Sequence, residues 1–70
     1  MPIVIAPLNT ELRIVRIAAD EKLKKHLESL GITVNGNISL VSSAGGSGVC
    51  KIKDGRVALD GELSSKIFVA

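Results

Sequence analysis

Aromatic residues are almost missing from this sequence: Phe68 stands alone, with no Trp and no Tyr. The core must therefore be aliphatic, and no platform of stacked rings is on offer for bases or sugars. A single cysteine, Cys50, excludes an internal disulfide and gives no sign of an oxidising compartment. No apolar run approaches the roughly 20 residues of a spanning helix, so direct membrane insertion is not expected. Residues 1–8 also lack the charged and apolar regions of a signal peptide. The expected location is the cytoplasm. Charge of one sign is scarce as well: nine Lys and Arg against seven Asp and Glu leave +2, far from the excess of most nucleic-acid binders.

What is present is a 46% hydrophobic fraction made of Val, Ile, Leu and Ala, well above that of a disordered chain. Seventy residues cannot divide these between two cores, so residues 1–70 are read as one domain. At this length burial gains and an ordering cost of about 1.5 kcal/mol per residue nearly cancel. Marginal stability is expected.

Along the chain, residues 2–8 are apolar but interrupted by Pro7, which suits an edge strand or an extended lead-in. Residues 12–18 are β-rich, and the failure of alternation at Ile14-Val15 predicts a bulge or a strand buried on both faces. Asp20 and Glu21 open a helix over about 20–30. Its stripe is Leu23, Leu27 and Leu30, its polar face carries Lys24, Lys25 and Glu28, and Gly31 follows as a left-handed cap. Asn35-Gly36 marks a turn before a strand through Ile38, Leu40 and Val41. Residues 42–48, with three glycines and three serines, read as a mobile loop. Asp54-Gly55 predicts a type I′ hairpin pairing Cys50 with Leu59 and Ile52 with Val57, their side chains on the core face and Lys51, Lys53 and Arg56 on the other. Asp60 caps a short helical turn over about 61–65, and residues 67–69 close the chain as a strand. About five short antiparallel strands with one helix hide their edges best by curling, so the fold class is mainly β, a small SH3-like barrel.

Catalytic groups are not evident. A Cys or Ser nucleophile would have only His26 as its base, and a core this small can hardly enclose a pocket of the usual size. No enzyme, catalytic residue or cofactor is expected. His26 and Cys50 are the only candidate metal ligands beyond carboxylates, two where a closed zinc site needs four. The simpler reading is a boundary histidine and a packed thiol. Gly45-Gly46-Ser47-Gly48 matches the GXXG clamp of KH domains, but that clamp joins two helices and this one precedes a β segment. Lys51, Lys53 and Arg56 make a cationic strip without stacking aromatics, for which a solvated face is the simpler reading and nucleic acid is not expected as a partner.

The run 23–32 ending Leu30-Gly31-Ile32, then Gly36 before a strand, then Gly55-Arg56-Val57-Ala58-Leu59, and finally Ile67 and Val69, resembles the FeoA family over nearly the whole chain. The resemblance implies an SH3-like barrel and a small cytoplasmic partner of the ferrous iron transporter FeoB, a membrane protein with a G-protein domain. It also implies similarity to the C-terminal barrel of iron-dependent repressors. The family's Leu-x-x-Leu-Gly element falls on Leu27, Leu30 and Gly31; either all three helix leucines are core, or Leu27 lies partly open. Leu27, Leu30, Gly31 and Lys24 are the candidate partner-binding residues. Asn35 stands where many members have Pro, and residues 44–48 replace a Pro-containing connection. The alternative is a small nucleic-acid-binding or metal-sensing barrel, and homo-oligomerisation is left open.

Overall fold

A computed structural model describes residues 1–70. A 3-10 turn (Ile3–Ile5) precedes β1 (Leu12–Ile17), α1 (Glu21–Ser29), β2 (Asn37–Ala44), β3 (Ser47–Ile52), β4 (Gly55–Leu59), α2 (Gly61–Lys66) and β5 (Ile67–Val69). The five strands form one antiparallel sheet in the order β4-β3-β2-β1-β5, curled into the small SH3-like barrel expected. β4 and β5 lie at opposite ends of that order, and α2 touches both.

Local chemistry accounts for most of the element boundaries. The Asp20 carboxylate accepts from the Leu23 amide at 2.8 Å and Asp60 does the same for Leu63 at 2.8 Å, so each helix begins on a side-chain cap. α1 ends as a Schellman motif: the Gly31 amide donates to Glu28 O at 2.9 Å and the Ile32 amide to Leu27 O at 2.9 Å. Gly31 takes φ +92°, and a Cβ there would sit 2.9 Å from Ile52 Cδ1. Only glycine fits without strain. The 33–36 turn then closes with Gly36 N donating to Thr33 O at 3.0 Å and Asn35 at φ 74°, the positive value that a type II turn needs at its third residue.

The break in alternation at Ile14-Val15 is a bulge, where the pairing of β1 with β5 shifts between Ile14 and Arg16. It turns Ile14 and Ile17 inward and leaves Val15 exposed. Residues 2–8 are neither a strand nor fully extended. They hold the 3-10 turn and two isolated bridges, Pro2 to Phe68 and Leu8 to Leu40.

Two hairpins differ from expectation, and for one reason. The last two residues before Gly55, Lys53 and Asp54, form the centre of the β3–β4 turn, and neither has positive φ, so the turn is not type I′. Cys50 pairs with Val57 and Gly48 with Leu59, a slip of two residues from the expected register. Because side chains alternate with period two, that slip leaves every residue on its expected face. The paired positive φ of a type I′ turn belongs instead to Gly45 (58°) and Gly46 (84°). The segment expected to be a mobile loop is therefore the tip of the β2–β3 hairpin, with Ala44 opposite Ser47.

The core is one cluster of 13 buried residues drawn from every strand, the 3-10 turn, α1 and the 31–36 loop. Leu27 is 0% exposed and Leu23 packs against the cluster, whereas Leu30 is 37% exposed. The helix ends its apolar stripe one leucine early because the Schellman motif turns Ile32, also 0% exposed, into the space beside Leu27. Leu27→Ala is accordingly expected to cost about 3 kcal/mol, most of the stability available at this size, and Leu30→Ala below about 1 kcal/mol. Chemical denaturation monitored by circular dichroism checks both.

Cys50 is 0% exposed and burial pushes its thiol above the ordinary range. The neutral thiol is the form that fits the core, so its contribution to stability is complete below the ordinary thiol pKa and is lost as pH rises through the higher folded value. Cys50→Ala is expected to reduce the steepness of the alkaline loss of stability. A thiol reagent should label native Cys50 only at the rate of unfolding, measured by mass spectrometry against a denatured control.

Candidate partner-binding surface

Exposed apolar side chains are the first indication of a contact surface in a chain whose core is complete. Val15 (40%) and Val34 (48%) both line an open groove of about 670 Å³ over the outer side of β1. The two valines arrive there by different routes. The β1 bulge turns Val15 outward, and the 33–36 turn is pinned to β1 by Asn35 N donating to Ile14 O at 2.7 Å and Ile14 N to Gly36 O at 2.8 Å.

Ala18, Ala19 and Lys24 extend the groove toward α1, and Arg16 and Lys66 bound it on the sheet side. The Arg16 guanidinium lies over the Phe68 ring at 5.4 Å from its centroid, and Lys66 reaches Glu62 Oε1 at 3.3 Å. Asp20 is the one carboxylate among the lining residues, and its Oδ1 is engaged in capping α1. The shallow groove is thus lined by apolar residues together with three cations, Arg16, Lys24 and Lys66. It suits a partner segment with apolar and acidic side chains, and it has no arrangement of base and nucleophile.

A second cleft of about 790 Å³ lies on the other side of the 31–36 loop. Asn9, Asn35, Asn37, Thr33 and Ser39 line it, Ile52 is its one apolar residue, and Lys51 and Lys53 are balanced by Glu11 and Asp54. Its charges are of both signs, so it does not select a partner by charge.

The four expected contact residues are dispersed. Lys24, half-buried, lines the groove over β1; Gly31 lines the polar cleft; Leu30 is exposed and lines neither; and Leu27 is enclosed in the core, where it has no surface to offer. Of the candidate metal ligands, His26 is exposed in the last turn of α1, while Cys50 is sealed inside with its thiol held neutral. No group of three or more His, Cys, Asp or Glu residues is placed to hold a metal ion. Lys51, Lys53 and Arg56 are all exposed, with Lys51 directly opposite Arg56. Sequence reasoning did not find Val15 and Val34. The broken alternation at Ile14-Val15 signalled that one of the two must leave the core, but the direction depends on the bulge geometry.

No helix is long and apolar enough to cross a membrane. No curated protein matches the chain in sequence. Among solved structures, a crystal structure of an iron uptake regulatory protein (FeoA) superposes with TM-score 0.87 at 20% identity, covering 100% of this chain and 93% of that one. The solution structure of iron(II) transport protein A from Clostridium thermocellum gives 0.88 at 24% identity, covering 99% of this chain but 44% of the other. A manganese-dependent transcriptional repressor in complex with manganese gives 0.86 at 19% identity, and there the chain spans only 35% of the protein. At these identities the likeness is one of fold. The FeoA domain model, in contrast, matches residues 1–70, the entire sequence, and the chain therefore belongs to the FeoA family.

Proposed function

We propose that this chain is a small cytoplasmic accessory protein of ferrous iron uptake, which binds the cytoplasmic part of a FeoB-type membrane transporter and modulates it without catalysing a reaction. The observation that carries the reading is family membership over the whole sequence. The groove over β1 supplies a place for the contact: Val15 and Val34 give area to bury, while Lys24 and Arg16 attract an acidic rim. Leu30 and Gly31, at the exposed end of α1, lie outside this groove and are not part of the proposed contact. Leu27 acts from behind, holding α1 and Ile32 in place.

Such a chain works by occupying a surface. Whatever conformation of the transporter offers the better-fitting surface is the one it stabilises, by no more than the difference in affinity between the two states. Neither a cofactor nor a bound metal is required.

Titration of the full chain into the cytoplasmic part of such a transporter, with and without guanine nucleotide, is expected to give saturable micromolar binding. Failure to bind at high micromolar concentration under both conditions would overturn the reading. Val15→Asp and Lys24→Glu are each expected to weaken binding about tenfold, or about 1.4 kcal/mol, with thermal melting unchanged because both positions lie outside the core cluster.

A further inference from the structure

The two ends of the sheet are finished differently. β5 gives its outer edge to the start of the chain: Val69 N donates to Met1 O at 2.7 Å, the terminal ammonium donates to Val69 O at 3.0 Å, and Pro2 bridges Phe68. β4 has only β3. In an antiparallel ladder alternate residues turn their N–H and C=O groups away from the paired strand, and no backbone hydrogen bond joins β4 to any other segment. Gly55, Arg56 and Ala58 are exposed and Val57 is half-buried, so the unpaired row is open to solvent. The strand carries no proline, no bulge and no inward-pointing charge, which are common means of blunting an edge.

A second observation concerns charge. Lys51 on β3 stands directly opposite Arg56 on β4, and like charges at paired positions repel. Neither is ion-paired with a carboxylate, since the one ion pair in the molecule is Lys66 with Glu62. Lys53 in the adjoining turn adds a third positive charge and its neighbour Asp54, also exposed, one negative charge, which leaves the hairpin cationic. The hairpin therefore combines an open edge with a face of net positive charge.

We propose that the outer edge of β4 is a docking site for an extended acidic segment of a partner protein, which adds as a sixth strand and sets carboxylates beside Arg56 and Lys51. Backbone pairing supplies the affinity and the cations select the sequence, as in other cases of strand addition. A second copy of the chain is a poor occupant, because antiparallel pairing of two β4 edges would bring both Lys51–Arg56 pairs onto one face. Nucleic acid is a poor occupant too. The only aromatic ring, Phe68, lies on β5 beneath Arg16 and leaves the hairpin with nothing on which to stack a base. The site is distinct from the groove over β1, and it goes beyond the transporter reading.

The test uses the full isotope-labelled chain and a synthetic ten-residue peptide of alternating Glu and Val. Nuclear magnetic resonance should show shifts confined to the β3–β4 hairpin, with slowed hydrogen exchange at β4 amides. The corresponding Lys and Val peptide should bind at least tenfold more weakly, and the double variant Lys51→Glu, Arg56→Glu should reverse that preference. Two further peptides, N-methylated either at every Glu or at every Val, separate strand addition from charge attraction: at least one of them should lose tenfold or more in affinity. Unchanged binding of both methylated peptides would overturn the proposal, as would shifts located outside the β3–β4 hairpin, or tighter binding of a single-stranded oligonucleotide at the same residues. Because the probes are synthetic, none of these results depends on the transporter reading.

Discussion

The sheet of this protein encloses its core without its two end strands pairing to one another, and the seam between β4 and β5 has to be filled by something other than sheet. α2 and the 3-10 turn fill it. α2 touches β3, β4, β5 and the 3-10 turn, and Ile3 enters the core with 0% exposure. Even a polar residue is enlisted there: Ser64, also 0% exposed, donates to Asp60 O at 2.8 Å and so arrives in the interior with its hydroxyl satisfied. In a chain of 70 residues with a single aromatic, no reserve of apolar area exists elsewhere to replace this packing.

The open edge follows from the way the seam is filled, and the groove from the way α1 is capped. The start of the chain runs along β5 and pairs with Val69, which removes one sheet edge from solvent. α2 sets off from Asp60 directly after β4, and the other edge stays open between residues 55 and 58. On the far side, the Schellman motif brings Ile32 back beneath α1, so that the following turn lands on β1 and presents Val34 beside Val15. A groove that gathers Val15, Val34 and cationic side chains is thus a by-product of how the helix is capped. Since family membership comes from the whole sequence while the grooves come from tertiary placement, the proposed iron-uptake role and the proposed contact surfaces rest on separate observations.

How much of this could be read from the residues depends on the range of the interaction involved. Local rules performed well: Asp20, Asp60 and Gly31 each cap where expected, and the Ile14-Val15 irregularity is a bulge. Turn type was less legible. Asp54-Gly55 is a strong type I′ signal, but a hairpin also closes when Gly55 opens the returning strand, and nothing in the sequence alone selects between the two. Gly45 and Gly46 serve through their positive φ, which composition does not distinguish from simple flexibility. The faces of β3 and β4 survived the register error because it was an even number of residues. Leucine placement on α1 depended on Ile32 competing with Leu30 for space near Leu27, which is a tertiary effect, and the same holds for the exposure of Val34. Of the expected contact residues only Lys24 lines the groove over β1.

Native-state hydrogen exchange addresses the filled seam most directly. If α2 and the start of the chain are integral to the core, the amides of Val69 and Ser64 should open with the same free energy as those of Leu40 and Cys50 in the middle of the sheet, in one cooperative unit. Exchange of Val69 and Ser64 through a separate, low-energy opening, with Leu40 and Cys50 still protected, would contradict it.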